Sequence, residues 1–83
     1  MSMGKTVRKG IAKFFRLQAK VDRFAFRAYL IEGVLAEIAS LVEDEGVKRH
    51  IDAVEVSAFY ARLANELERL AKVCREIAEV VAR

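Results

Sequence analysis

The stretch that decides the fold is DAVEVSAFYARLANELERLAKVCREIAEVVA, residues 52–82. Its apolar residues recur at alternating steps of four and three, the spacing of a helix side that packs on another helix. We call this row the C-terminal seam, and it consists of Val56, Tyr60, Leu63, Leu67, Leu70, Cys74, Ile77 and Val81. Asp52 followed three residues later by Glu55 is a capping-box pattern, which predicts that the helix begins at Asp52 and ends near residue 82.

A second row with the same spacing precedes this stretch. We call it the N-terminal seam, and it consists of Phe14, Leu17, Val21, Phe24, Ala28, Ile31, Leu35, Ile38 and Val42. The chain contains no proline, and the row predicts a helix over about 11–45 and a loop over 46–51. Gly46 is predicted to follow the helix end with a positive φ. Asp22 is a poor interior residue and a good N-cap, so a break there would give three helices, although a continuous helix is favoured.

These patterns predict an all-α fold, in which an antiparallel two-helix hairpin forms a single domain over 11–83. The two helices have similar lengths and a short connection, which makes them antiparallel neighbours. Residues 1–10 contain two glycines and no strong apolar period, and we expect a flexible basic N-terminal tail there.

The apolar surface of the hairpin is too wide for one copy of the chain to cover. A chain of 83 residues is marginal alone, and its single cysteine excludes an intramolecular disulfide. A column of small and apolar residues lies beside each seam, which predicts a four-helix-bundle-like homodimer or a higher oligomer. The predicted oligomer interface consists of Phe26, Leu30, Gly33, Ser57, Ala64, Ala71 and Ala78. A helix of a partner protein in the same groove is the alternative.

Charge is distributed unevenly along the chain. The net charge is +3, but residues 1–30 carry eight basic residues and only Asp22 as an acid. A row of cations at steps of four and three predicts a basic face on the first helix. With two further cations before it, the predicted nucleic-acid-binding set is Lys5, Arg8, Lys9, Lys13, Arg16, Lys20, Arg23 and Arg27.

Phosphate groups of DNA or RNA are the first expected partner of this face, bound with low sequence specificity. Two alternatives remain. The neighbouring apolar residues are also typical of a helix that lies on an anionic membrane surface. A plain solubilising face, or one that pairs with an acidic partner protein, is the other alternative.

The run Ala12-Lys13-Phe14-Phe15-Arg16-Leu17-Gln18 resembles the first-helix segment of the Rop family of helical-hairpin RNA-binding proteins. The resemblance covers less than a tenth of the chain. It implies a shared hairpin architecture and RNA contacts through Phe14 and Gln18. The sequence departs from the family at Gly10 and Ala25, which stand where the family has polar or basic RNA contacts.

Catalysis is not expected, because the sequence has no arrangement that activates a nucleophile and no glycine-rich phosphate loop. His50 is predicted to be a solvated loop residue, and Cys74 a small residue of the seam. We therefore expect no cofactor and no metal. The composition resembles that of thermophile proteins, and the predicted location is cytoplasmic or virion-associated.

Overall fold

The computed structural model describes residues 4–83 and shows three helices. Helix α1 spans Lys5–Leu41, α2 is the single turn Glu45–Lys48, and α3 spans Ala53–Ala82. No strand is present among the described residues, so the all-α class is confirmed. The chain divides into two units, one ending at Val42 and the other beginning at Glu43. A hairpin or a bundle is not shown.

Helix α1 begins earlier than the sequence predicts. Residues 5–10, which the sequence pattern assigns to a flexible tail, form the first turns of α1, and residues 1–3 lie outside the described part. Gly4 is the N-cap residue, and its carbonyl oxygen accepts a hydrogen bond from the Arg8 amide at 3.1 Å. Gly10 lies inside the helix, where its missing side chain costs about 1 kcal/mol relative to alanine without ending the helix.

Helix α1 continues through Asp22 without a break, as the favoured prediction has it. Gln18 donates a hydrogen bond from Nε2 to Asp22 Oδ1 at 3.2 Å, one helical turn along the same side. An aspartate inside a helix is unfavourable partly because its carboxylate competes for backbone amides. The Gln18 donor gives this carboxylate a partner on the helix surface and so favours the unbroken helix.

The connection between the long helices differs from the predicted loop. Helix α1 ends at Leu41, not near residue 45, and the acidic residues 43–45 lead into α2. Asp44 is the N-cap of α2, and its Oδ1 accepts a hydrogen bond from the Gly46 amide at 2.8 Å. Acidic residues are unfavourable at the end of a helix and favourable at its start, which explains the correction. Gly46 lies inside α2, and no described glycine has a positive φ, so its predicted role as a helix terminator is wrong.

Helix α3 has the start that the capping pattern predicts. Asp52 is the N-cap with φ −77° and ψ 98°, and its Oδ1 accepts a hydrogen bond from the Glu55 amide at 3.0 Å. This bond satisfies one of the four amides that the first turn of a helix leaves unpaired. Asp52 therefore fixes the residue at which α3 begins.

Neither unit has a core of its own. No residue between 4 and 83 is buried, and the large apolar side chains of α1 and α3 are mostly exposed. Four residues of the N-terminal seam are partly covered. Ala28, Leu35 and Ile38 lie in α1, and Val42 directly follows its end. Of the helices in this part of the chain, none combines the length and apolar character needed to cross a membrane.

We expect Asp52→Ala to lower the free energy of unfolding by about 1 kcal/mol, because the Glu55 amide loses its side-chain acceptor. Asp52→Asn is the matched control, since the asparagine oxygen still caps the helix. Thermal unfolding followed by circular dichroism measures both variants. An alanine variant as stable as the parent chain would contradict the assigned cap.

Candidate nucleic-acid interface

The cations of α1 lie on one side of one continuous helix. With 3.6 residues per turn, consecutive residues are separated by about 100° around the helix axis. Six cations then fall within an arc of about 80°, and we call this set the basic stripe. The basic stripe consists of Lys9, Lys13, Arg16, Lys20, Arg23 and Arg27. It is about 27 Å long at 1.5 Å per residue, which spans several phosphates of a nucleic-acid strand.

The two remaining predicted cations fall in different places. Lys5 lies within the arc of the basic stripe and extends it by one turn towards the N-terminus of α1. Arg8 lies about 100° away from the centre of the arc, so the helix does not bring it into the stripe. The structure thus groups seven of the eight predicted residues on one face.

The single acid of this region is turned away from the stripe. Asp22 lies about 140° from the centre of the arc, and its carboxylate accepts the hydrogen bond from Gln18. Within residues 4–83 no stripe cation forms an ion pair, and all six side chains are exposed. Closely spaced exposed cations without acids between them create a positive potential that attracts anions.

The polar side of α3 has a different character. Basic and acidic residues are mixed there, and Arg69 donates a hydrogen bond from its guanidinium to the Glu66 carboxylate three residues earlier. Mixed charges are typical of a helix side that faces solvent. Since both helices belong to one chain, α3 offers an internal comparison for α1.

Aromatic side chains of α1 are exposed at several positions, but not all of them lie near the cations. The Phe14 and Phe15 rings meet edge to face, with centroids 5.3 Å apart. Phe15 is 64% exposed and Tyr29 is 76% exposed, but Tyr29 lies on nearly the opposite side of α1 from the basic stripe. Gln18 also lies opposite the stripe and contacts Asp22. The family resemblance pairs Phe14 with Gln18 as RNA contacts, and neither residue falls within the arc of the cations.

The row of the basic stripe changes from cationic to apolar residues along α1, and the sequence-based predictions do not include this change. Beyond Arg27 the same row continues at steps of four and three with apolar residues. We call this continuation the apolar extension, and it consists of Ile31, Val34, Ile38 and Leu41. The signal is present in the residue spacing, but the seam pattern places Ile31 and Ile38 only in the N-terminal seam. One side of α1 is therefore cationic in its first half and aliphatic in its second.

The predicted oligomer interface lies on exposed parts of both long helices. Phe26 and Leu30 are 66% and 55% exposed, and the space next to Gly33 is open, since a Cβ atom added there would meet no atom within 4 Å. On α3, Ala71 is partly covered, whereas the other three predicted residues, Ser57, Ala64 and Ala78, are exposed. These small residues leave room for a neighbouring helix to approach closely.

Other reactive side chains do not gather into a site. His50 lies in the turn after α2, where its amide donates to the Val47 carbonyl oxygen at 3.0 Å. Cys74 is a free and exposed thiol on α3, although the sequence predicts a packed seam residue. Among the residues described, no group of histidine, cysteine or acidic side chains is arranged to hold a metal ion.

Comparison of the chain with family models, with curated proteins and with solved structures found no match. The candidate interface is therefore defined by its own charge and geometry.

Two glycine substitutions in α1 test whether the predicted oligomer interface exists. Gly10→Ala is expected to stabilise the chain by about 1 kcal/mol, because alanine favours the helix and the new Cβ meets no atom within 4 Å. Gly33→Ala has the same open surroundings within the chain, but an added methyl group is expected to keep two packed helices apart. We therefore expect Gly33→Ala to weaken self-association, measured by sedimentation. Equal stabilisation by both substitutions, with unchanged association, would show that Gly33 contacts no partner.

Proposed function

We propose that this chain is a small, non-catalytic nucleic-acid-binding protein that lays the basic stripe of α1 along the phosphates of DNA or RNA. The observation that carries the proposal is the single face of Lys9, Lys13, Arg16, Lys20, Arg23 and Arg27, with Asp22 on the other side of the helix. A row of cations binds phosphates regardless of the base sequence, so low sequence specificity follows.

The proposed assembly supports this function by covering the apolar sides of the helices. We propose that α1 and α3 pair as an antiparallel hairpin through their seams, and that two copies form a four-helix-bundle-like homodimer. The support is the exposure of the apolar side chains in residues 4–83, because a stable fold must remove such surface from water. The mixed charges of α3 and the basic stripe of α1 would then remain at the surface.

An interaction subunit without nucleic-acid binding is the second candidate, favoured by the same exposed apolar surface. In that case the occupant of the groove is a helix of another protein, and the isolated chain remains a monomer with exposed apolar faces.

Charge reversal along the stripe tests the proposed function. The variant Lys13→Glu, Arg16→Glu, Lys20→Glu and Arg23→Glu should lose binding to fluorescent DNA and RNA in anisotropy titrations, while circular dichroism shows retained helix. The parent chain should bind about a thousandfold more weakly at about 200 mM salt than at about 50 mM, as expected for about six phosphate contacts.

The matched control reverses four exposed cations of the mixed side of α3, namely Arg62, Arg69, Lys72 and Arg75. Both variants have the same net charge, so a difference between them isolates the position of the cations on α1. Equal loss in both variants would mean that binding follows net charge alone. Binding that does not respond to salt, or no binding to either polymer, would refute the proposal.

Self-association is tested by placing a charge in the small-residue column of α3. Ala71→Glu is expected to destabilise the dimer by about 2 kcal/mol or more, because a carboxylate would be enclosed without a partner. Lys72→Glu is the control, since the next residue lies on the polar side of α3. Light scattering should report a dimer for the parent chain and for the control, and a smaller mass for Ala71→Glu. A monomeric parent chain would favour the interaction subunit instead.

A further inference from the structure

Four side chains at the end of the basic stripe form a compact patch on one side of α1. Arg23 precedes Phe26 and Arg27 by three and four residues, and Leu30 follows Phe26 and Arg27 by four and three, so each of these pairs lies on adjacent turns of one side of α1. They line a shallow surface depression, which Asp22 borders on the side away from the stripe. We call these four residues the aromatic patch.

At the patch an exposed phenyl ring that belongs to neither seam lies beside two guanidinium groups. In the two preceding heptads the position equivalent to Phe26 holds Ala12 and Ala19, so the cations there have only a small neighbour on that side. Phe26 is 66% exposed. Phe24 flanks the same cations on the other side, but it belongs to the N-terminal seam, which packing of the helices would cover.

The sequence predicts Phe26 and Leu30 as part of the oligomer interface, but the charges beside Phe26 disfavour a purely apolar protein contact at this point. A protein surface that covers the ring must also approach Arg23 and Arg27, and it must then supply acids that the patch lacks. Asp22 does not supply this charge to the stripe side, because it lies away from the arc and accepts the hydrogen bond from Gln18. An anionic ligand with a flat apolar part satisfies the ring and both cations together.

We propose that the aromatic patch makes this protein prefer single-stranded nucleic acid over duplex, with one base stacked on Phe26 and the adjoining phosphates on Arg23 and Arg27. This inference rests on the proposed nucleic-acid binding and adds the class of polymer. A phenyl ring stacks on any base, because every base has a π face, but only an unpaired strand exposes that face. In a duplex the bases are stacked on each other, so the stripe would contact phosphates and Phe26 would contribute nothing.

The experiment compares single-stranded and duplex DNA of about 20 nucleotides, a length that exceeds the basic stripe in either form. Phe26→Leu keeps an apolar side chain and removes the aromatic face. We expect it to weaken binding to oligothymidylate by roughly tenfold and to leave duplex binding unchanged. Phe15→Leu is the matched control, because Phe15 is similarly exposed on α1 but lies outside the patch. It should bind both polymers as the parent chain does.

A second readout detects stacking directly. The chain contains no tryptophan, so Phe26→Trp introduces a single indole reporter. Oligothymidylate should quench its fluorescence, and duplex DNA should not. The oligomeric state of each variant, measured by sedimentation, shows whether Phe26 acts through assembly.

The possible results separate this inference from the proposed function. Salt-dependent binding that Phe26→Leu leaves unchanged, or weakens equally for both polymers, would overturn the single-strand preference while the stripe remains a phosphate-binding face. Dissociation of the oligomer by Phe26→Leu together with equal loss on both polymers would place Phe26 in the protein interface and also overturn it. Absence of binding to either polymer at low salt would refute both proposals.

Discussion

The need to cover the apolar sides of α1 and α3 is the constraint on which the rest of the structure depends. Isolated helices gain little from their backbone hydrogen bonds in water, and most helical stability in proteins comes from packing of an apolar side. Neither unit buries a residue among those described, although both long helices carry rows of large aliphatic and aromatic side chains. The cations of α1 share one face only while α1 is helical, so the proposed recognition by charge depends on packing of the apolar sides.

One side of α1 differs in chemical character between its two ends. The basic stripe occupies the first part of the row and the apolar extension the second, with the change between Arg27 and Ile31. Cations are costly to enclose in a helical core, whereas aliphatic residues are costly to leave in water. A partner helix that follows this row is therefore expected to cover Ile31 to Leu41 and to leave Lys9 to Arg27 in solvent.

The spacing of the apolar residues predicts that the helices exist, but it predicts less well where they begin and end. The start of α3 is predictable because Asp52 and Glu55 form a local pattern whose physics is complete within four residues. The span of α1 through Asp22 is predictable because no glycine or proline accompanies that aspartate. The helical state of residues 5–10 is not predictable from the pattern, because glycine lowers helix stability by an amount that neighbouring turns offset. Gly46 suggests that α1 ends near residue 45, whereas α1 ends at Leu41 and Asp44 caps a new turn after a short gap. The candidate site is also only partly predictable from the sequence. The face shared by the cations follows from helical geometry alone. A row of apolar residues indicates that a packing partner is needed, but it does not specify which one.

Because α1 is one continuous helix, the orientation of its first half about the helix axis is linked to the orientation of its second half. A continuous helix resists torsion, since turning one end relative to the other would break its hydrogen-bond ladder. A surface that packs on Ile31, Val34 and Ile38 therefore also fixes the direction around the helix axis in which Lys13, Arg16 and Lys20 point. While α1 stays helical, a change in packing around Ile31, Val34 and Ile38 would therefore turn the whole row of cations about the helix axis.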